Sequence, residues 1–122
     1  MMRYIIKLFL GNLFKFKGRA SRKEYIYRFL LTTFLFITWS YNEEFSNQEG
    51  ILSFLYVVIF GGLGILMVLQ YFPLAVRRLH DLNASGWFVL ISFAPFGQLL
   101  ILWLMFKKGT DGVNDYGEPP EY

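Results

Sequence analysis

Apolar residues fall along this chain in four blocks, and each block has its own rhythm. Over residues 1–17 charge interrupts the apolar residues every few positions. On a 100° wheel Ile5, Ile6, Phe9, Leu13 and Phe16 share one face, while Arg3, Lys7, Gly11 and Lys15 share the other. This pattern predicts an amphipathic helix lying in a membrane interface, its basic side chains reaching the headgroups. A signal peptide is the competing reading, but Lys7 breaks the apolar core and Gly18-Arg19-Ala20 is a poor cleavage site, so the segment is read as retained. Gly18 ends this block. Ser21-Arg22-Lys23-Glu24 then has the form of a capping box, with Ser21 accepting from the Glu24 amide and Glu24 reaching back.

Residues 22–41 are 20 in number, about 30 Å as a helix, which matches the hydrocarbon thickness of a bilayer. Arg22, Lys23 and Arg28 are placed to snorkel at one end, and Trp39 and Tyr41 mark the other interface. The following loop carries Glu43, Glu44 and Glu49 and no cation, so the positive-inside rule turns it away from the cytoplasm and sets the N-terminus inside. Residues 51–76 are a 26-residue apolar run, long enough to return across the bilayer even when tilted. Within it Gly61, Gly62 and Gly64 allow close helix packing and Pro73 predicts a kink. Arg77 to Gly86 then reads as a tight cytoplasmic connection. Residues 87–106 are again 20 apolar residues, but Pro95-Phe96-Gly97 interrupts them. Their length favours a third full crossing. Lys107 and Lys108 at their end favour a re-entrant hairpin that turns at Pro95 to Gly97 and brings the tail back inside. The tail, residues 107–122, is turn chemistry throughout and orders only where something docks it. The fold class is thus an all-α integral membrane protein in one membrane domain: an interfacial helix and about three transmembrane helices, the third crossing or re-entrant.

Composition agrees with that pattern. Of 122 residues 55% are hydrophobic, 20% aromatic and only 17% charged, against about 25% charged in a soluble domain. Eight of the 12 Lys and Arg lie in the first 28 residues, with Glu24 the only acid among them. Next to hydrophobic segments such a basic head points to anionic lipid headgroups rather than to nucleic acid. Zero Cys and one His exclude disulfide scaffolds, thiolate zinc sites and iron–sulfur clusters, and argue against an imidazole metal site. Asp111, Asn114 and Asp115 do not have the spacing of a calcium loop. The expected cofactor and metal content is none.

Three polar stretches stand out: Gly18-Arg19-Ala20-Ser21-Arg22-Lys23-Glu24-Tyr25, then Arg77-Arg78-Leu79-His80-Asp81 with Ser85-Gly86-Trp87, then Asn114-Asp115-Tyr116-Gly117. In that order and spacing they resemble the small bacterial inner-membrane family catalogued as domain of unknown function 805, over nearly the whole chain. Departures fall at Ile26, Phe88, Lys108 and Asp115. The resemblance implies a bacterial plasma (inner) membrane location and no established activity.

A hairpin at residues 87–106 would gather Arg19, Arg22, Glu24, Arg77, Arg78, His80, Asp81, Asn114 and Tyr116 at the inner leaflet. Two readings of that cluster stand. In one, Glu24 and Asp81 pair with the arginines and clamp helix ends together. In the other, Arg77 and Arg78 present planar donor forks to a lipid phosphate or an acidic solute, with His80 beside Asp81 as a proton acceptor. Adjacent residues diverge by about 100° on a helix, so His80 and Asp81 do not form a catalytic dyad, and no nucleophile with a base is apparent. The chain is expected not to be an enzyme. The reading is a structural or partner-binding membrane module, with an inner-leaflet lipid-phosphate or anion-binding accessory as the alternative. A subunit of an oligomeric small-solute transporter is a further one, on account of Gln70, Gln98, Pro73 and Pro95. Expected partners are the bilayer with its anionic headgroups and a second copy or another membrane protein, without nucleic acid.

Overall fold

The computed structural model describes residues 1–3, 6, 11, 13–42, 47 and 49–120. Helix α1 is Arg22–Ser40 and helix α2 is Ile51–Asp81; an eight-residue 3-10 helix, Gly86–Phe93, and helix α3, Gly97–Phe106, follow. Among the described residues the regular structure is helical, apart from a single bridge between Asn114 and Gly117. Of the interfacial helix expected over residues 1–17, seven residues lie outside the described ones, as do Glu43 and Glu44 of the first loop, and residues 13–17 are turn and irregular backbone, so the helix does not extend to Lys17.

Helix α1 begins as half of a capping box. Ser21 Oγ accepts from the Glu24 amide at 3.1 Å, but the Glu24 carboxylate turns to arginines instead of reaching back. Helix α2 does not stop at Val76. It runs on through Arg77-Arg78-Leu79-His80-Asp81, so the expected connection is helical for five more residues. Its end is a Schellman motif: Asn83 takes a left-handed φ of 57°, the Ala84 amide donates to the Leu79 carbonyl at 2.9 Å and the Asn83 amide to His80 at 3.0 Å. That motif turns the chain sharply into the last apolar block.

The last block is not one continuous helix but two short ones, broken at Ala94 to Phe96. Ala94 is extended ahead of Pro95, as the proline ring requires, and ends the 3-10 helix. Gly97 then begins α3 so close to Ser92 that a Cβ there would fall on the Ser92 backbone. The block leaves from beside His80 and Val76, which crowd Gly86. It reaches Phe93, whose ring stacks on Phe72 at 5.6 Å, and returns until the Leu104 carbonyl accepts from Arg78 Nε at 2.8 Å. Phe72 lies eight residues before His80, so the excursion along α2 is about 12 Å deep. The two arms, about 16 Å and 15 Å long, each match half the hydrocarbon thickness.

Packing is concentrated where these turns meet. Ala20, Tyr25, Leu74, Ala75, Leu79, Val89, Leu100 and Leu104 form the buried apolar core at the end of α2 that carries the arginines. Toward the other end of α2 large apolar side chains stand exposed: Leu52, Phe54 and Ile65 are 70%, 62% and 64% exposed. Among the described residues α2 is the one helix long and apolar enough to cross a membrane. Helix α1 has 19 residues and carries four charges, Arg22, Lys23, Glu24 and Arg28, all within its first seven positions.

Candidate functional site: a buried arginine and carboxylate clamp

The C-terminal end of any helix leaves carbonyls without partners, and in α2 the other two polar stretches supply them. The Ala20 amide donates to the Arg77 carbonyl at 2.9 Å, and the Thr110 amide to Asp81 at 2.7 Å. The Asn114 side-chain amide donates to the His80 carbonyl at 2.8 Å. All three stretches therefore converge on one helix end, and the tail is ordered because it caps that end.

Side chains lock the junction. Asp81 is 4% exposed and faces two guanidiniums: Arg19 donates from Nε at 3.0 Å, and Arg78 donates from Nη1. Arg19 reaches on into the tail, donating to the carbonyls of Thr110 and Gly112, each at 2.5 Å, and of Gly117 at 3.3 Å. Arg78 is fully buried and also donates to the carbonyls of Ala20, Leu104 and Lys107, so it ties α2 to the end of α3 and to the first stretch. A cation there also suits the negative end of the α3 dipole. Glu24, 1% exposed, accepts both arms of Arg77, at 2.6 Å and 3.4 Å, and lies 3.4 Å from Arg28. The tail fits so tightly that a Cβ on Gly109 would overlap the Asp81 carboxylate.

His80 and Asp81 diverge as the helical pitch requires. The His80 Nδ1 meets the Gly18 carbonyl at 3.1 Å, and its ring stacks on Tyr116 with centroids 4.0 Å apart and planes 6° apart. The Gly18 carbonyl can only accept, so the His80 Nδ1 carries a proton and donates it.

Of the nine residues singled out by sequence, eight meet in this junction. Arg22 does not: it is exposed and donates to the Phe106 carbonyl at 3.4 Å. Arg28 is the residue that sequence misplaced. It does not snorkel; it is 1% exposed, beside Glu24, and donates to the Gly11 carbonyl. The spacing of Glu24 and Arg28, four apart on one helix, was the available signal. The tail carbonyls that Arg19 holds left no signal, because every residue has one. Among the described residues no group of three potential ligands could hold a metal ion.

The family described as "Protein of unknown function (DUF805)" matches residues 13–118, which include every residue of the clamp. The chain belongs to this family. It is 34% identical over 119 residues to "Inner membrane protein YhaH" of Escherichia coli (strain K12), covering 92% of each chain. It is 35% identical over 115 residues to "Inner membrane protein YhaI" of the same organism, covering 93% of this chain and 92% of the relative. No solved structure matches.

Proposed function

We propose that this chain is an inner-membrane module of structural or partner-binding kind, with no catalytic role, whose clamp holds a re-entrant hairpin in place. In this reading α1 and α2 both cross the bilayer, and the N-terminus, the clamp and the tail share the cytoplasmic side. Irregular backbone inside a membrane must be shielded by protein. The two half-length arms against α2, with Arg78 capping α3, meet that requirement. The E. coli relatives named as inner membrane proteins support the location.

The observation that carries the structural role is that the arginines are already engaged. Arg19, Arg28, Arg77 and Arg78 each face Glu24 or Asp81, and all four are 6% exposed or less. An anion would have to displace a buried carboxylate to reach them. Contact with anionic headgroups therefore falls to the exposed cations around the junction, Lys15, Lys17, Arg22, Lys23, Lys107 and Lys108. The test is Arg77→Ala with Arg78→Ala in the full chain. Loss of folded protein is expected. Retained fold with lost binding to phosphatidylglycerol vesicles would overturn the reading in favour of an anion site.

A further inference from the structure

Helix α3 has two unlike faces. Leu100 and Leu104 are buried in the core, whereas Leu99, Leu102, Trp103 and Phe106, spaced i, i+3, i+4 and i+7 as one helical stripe, are exposed. The helix that carries the stripe is about 15 Å long, the depth of one leaflet's hydrocarbon. At its C-terminal end stand cations without anions. Arg22 reaches the Phe106 carbonyl with a single donor at 3.4 Å, and the Lys107 Nζ lies 4.8 Å from the centre of the Trp103 ring. Both cations are exposed, and among the described residues no acid pairs with either. The clamp behind them is not neutral: its buried charges are the guanidiniums of Arg19, Arg28, Arg77 and Arg78 against the carboxylates of Glu24 and Asp81. The C-terminal ends of α2 and α3 offset about half a charge each, which leaves roughly one positive charge. Arg78 holds the Leu104 and Lys107 carbonyls, so this excess adjoins Arg22 at the same helix end.

We propose that this end of α3 binds one phospholipid of net negative headgroup, its phosphate between Arg22 and Lys107 and one acyl chain along the exposed stripe. The guanidinium of Arg22 spends one donor on Phe106 and keeps the rest for phosphate oxygens, while Lys107 adds a second positive charge beside them. The Trp103 indole sits where headgroup gives way to chain, the level that suits an amphipathic ring. A zwitterionic headgroup would bring its own cation against this pair. Charge also excludes a second copy on the stripe: two copies inserted the same way round would set Arg22 and Lys107 against their own counterparts. A free anion would use the cations and leave the stripe bare.

This inference deepens the membrane reading above and rests on it, and the test separates the two. Trp39→Phe with Trp87→Phe leaves Trp103 as the sole tryptophan of three, and Trp39→Phe with Trp103→Phe leaves Trp87, at the start of the other arm, as the reference. Each full chain is reconstituted into phosphatidylcholine vesicles carrying a minor fraction of chain-brominated phosphatidylglycerol or chain-brominated phosphatidylcholine, and fluorescence quenching is measured. Trp103 is expected to prefer phosphatidylglycerol by on the order of 10- to 30-fold, about five-fold for each of two cations, and Trp87 to show no such preference. Arg22→Gln or Lys107→Gln, both at exposed positions outside the clamp, is expected to lower the preference about five-fold with the thermal midpoint unchanged, and the two together to remove it. Lys15→Gln with Lys17→Gln, which also removes two exposed cations, is expected to leave it in place. Equal preference at Trp87, or loss of the preference in the Lys15 and Lys17 variant, would mean diffuse attraction and overturn the proposal. Displacement of the brominated lipid by millimolar inorganic phosphate would mean a site for a free anion and overturn it too. So would a Trp103 that neither lipid quenches, which would put a protein surface on the stripe. Failure of the unaltered chain to enter the vesicles would overturn the membrane reading as well, whereas entry without headgroup preference at Trp103 overturns only this one.

Discussion

Asp81→Asn removes one negative charge from between two buried guanidiniums and leaves the side chain's size almost unchanged. Arg19 and Arg78 have side chains 1% and 0% exposed, so neither can turn to water when its counter-charge is lost. Breaking a buried pair by deleting one partner costs about 3–5 kcal/mol, because the remaining charge stays buried. Both guanidiniums keep backbone carbonyls as acceptors, which holds the cost near the lower end of that range for the pair of them together. Against a total stability of about 5–15 kcal/mol, a loss of about 3 kcal/mol is large. For a chain of this size it lowers the thermal midpoint by roughly 10 °C. The assay is thermal unfolding in a fixed detergent, paired with limited proteolysis of the tail. The tail should become cleavable between Lys107 and Gly117 well below the global midpoint, since Arg19 is what holds Thr110, Gly112 and Gly117. A midpoint within about 2 °C of the unaltered protein with the tail still protected would refute the clamp, since a change under ~1 kcal/mol is what a surface pair would show.

Three glycine substitutions should separate by sign. Gly109→Ala drives a methyl group into the Asp81 carboxylate and should cost about 1–3 kcal/mol by overpacking, with tail proteolysis as the readout. Gly97→Ala meets the Ser92 backbone and should cost at least as much; the accessibility of an introduced cysteine at Phe96 reports whether the hairpin has opened. Gly61→Ala, in a helix interior with nothing within 4 Å, should instead stabilise by about 0.5–1 kcal/mol in the same thermal assay.

Legibility from sequence followed the range of the signals. The Ser21 cap and the start of α1 are local, and both are where the Ser-x-x-Glu spacing put them. The apolar run of α2 was equally plain. Its end was not, because Arg77 to Asp81 reads as a polar connection until one sees that it is buried by two other stretches. Residues 87–106 set length against charge; Pro95 and Gly97, both visible in the sequence, are where one arm ends and the next makes its tight start. The pairing of carboxylates with arginines was in view as a class of interaction. Which arginine met which acid depended on contacts 53 and 62 residues apart, as in Arg77 with Glu24 and Arg19 with Asp81, and no local pattern encodes these.

The central claim is that the tail returns to the side of the membrane where the chain's arginines lie. The direct measurement is to fuse paired cytoplasm-active and periplasm-active reporters after Tyr122, with companion fusions in the loop between Asn42 and Gly50. Signal from the cytoplasmic reporter at Tyr122 and from the periplasmic one in the loop is the predicted result. A periplasmic signal at Tyr122 would mean that residues 87–106 cross the bilayer, and would part Asn114 and Tyr116 from His80 and contradict the account.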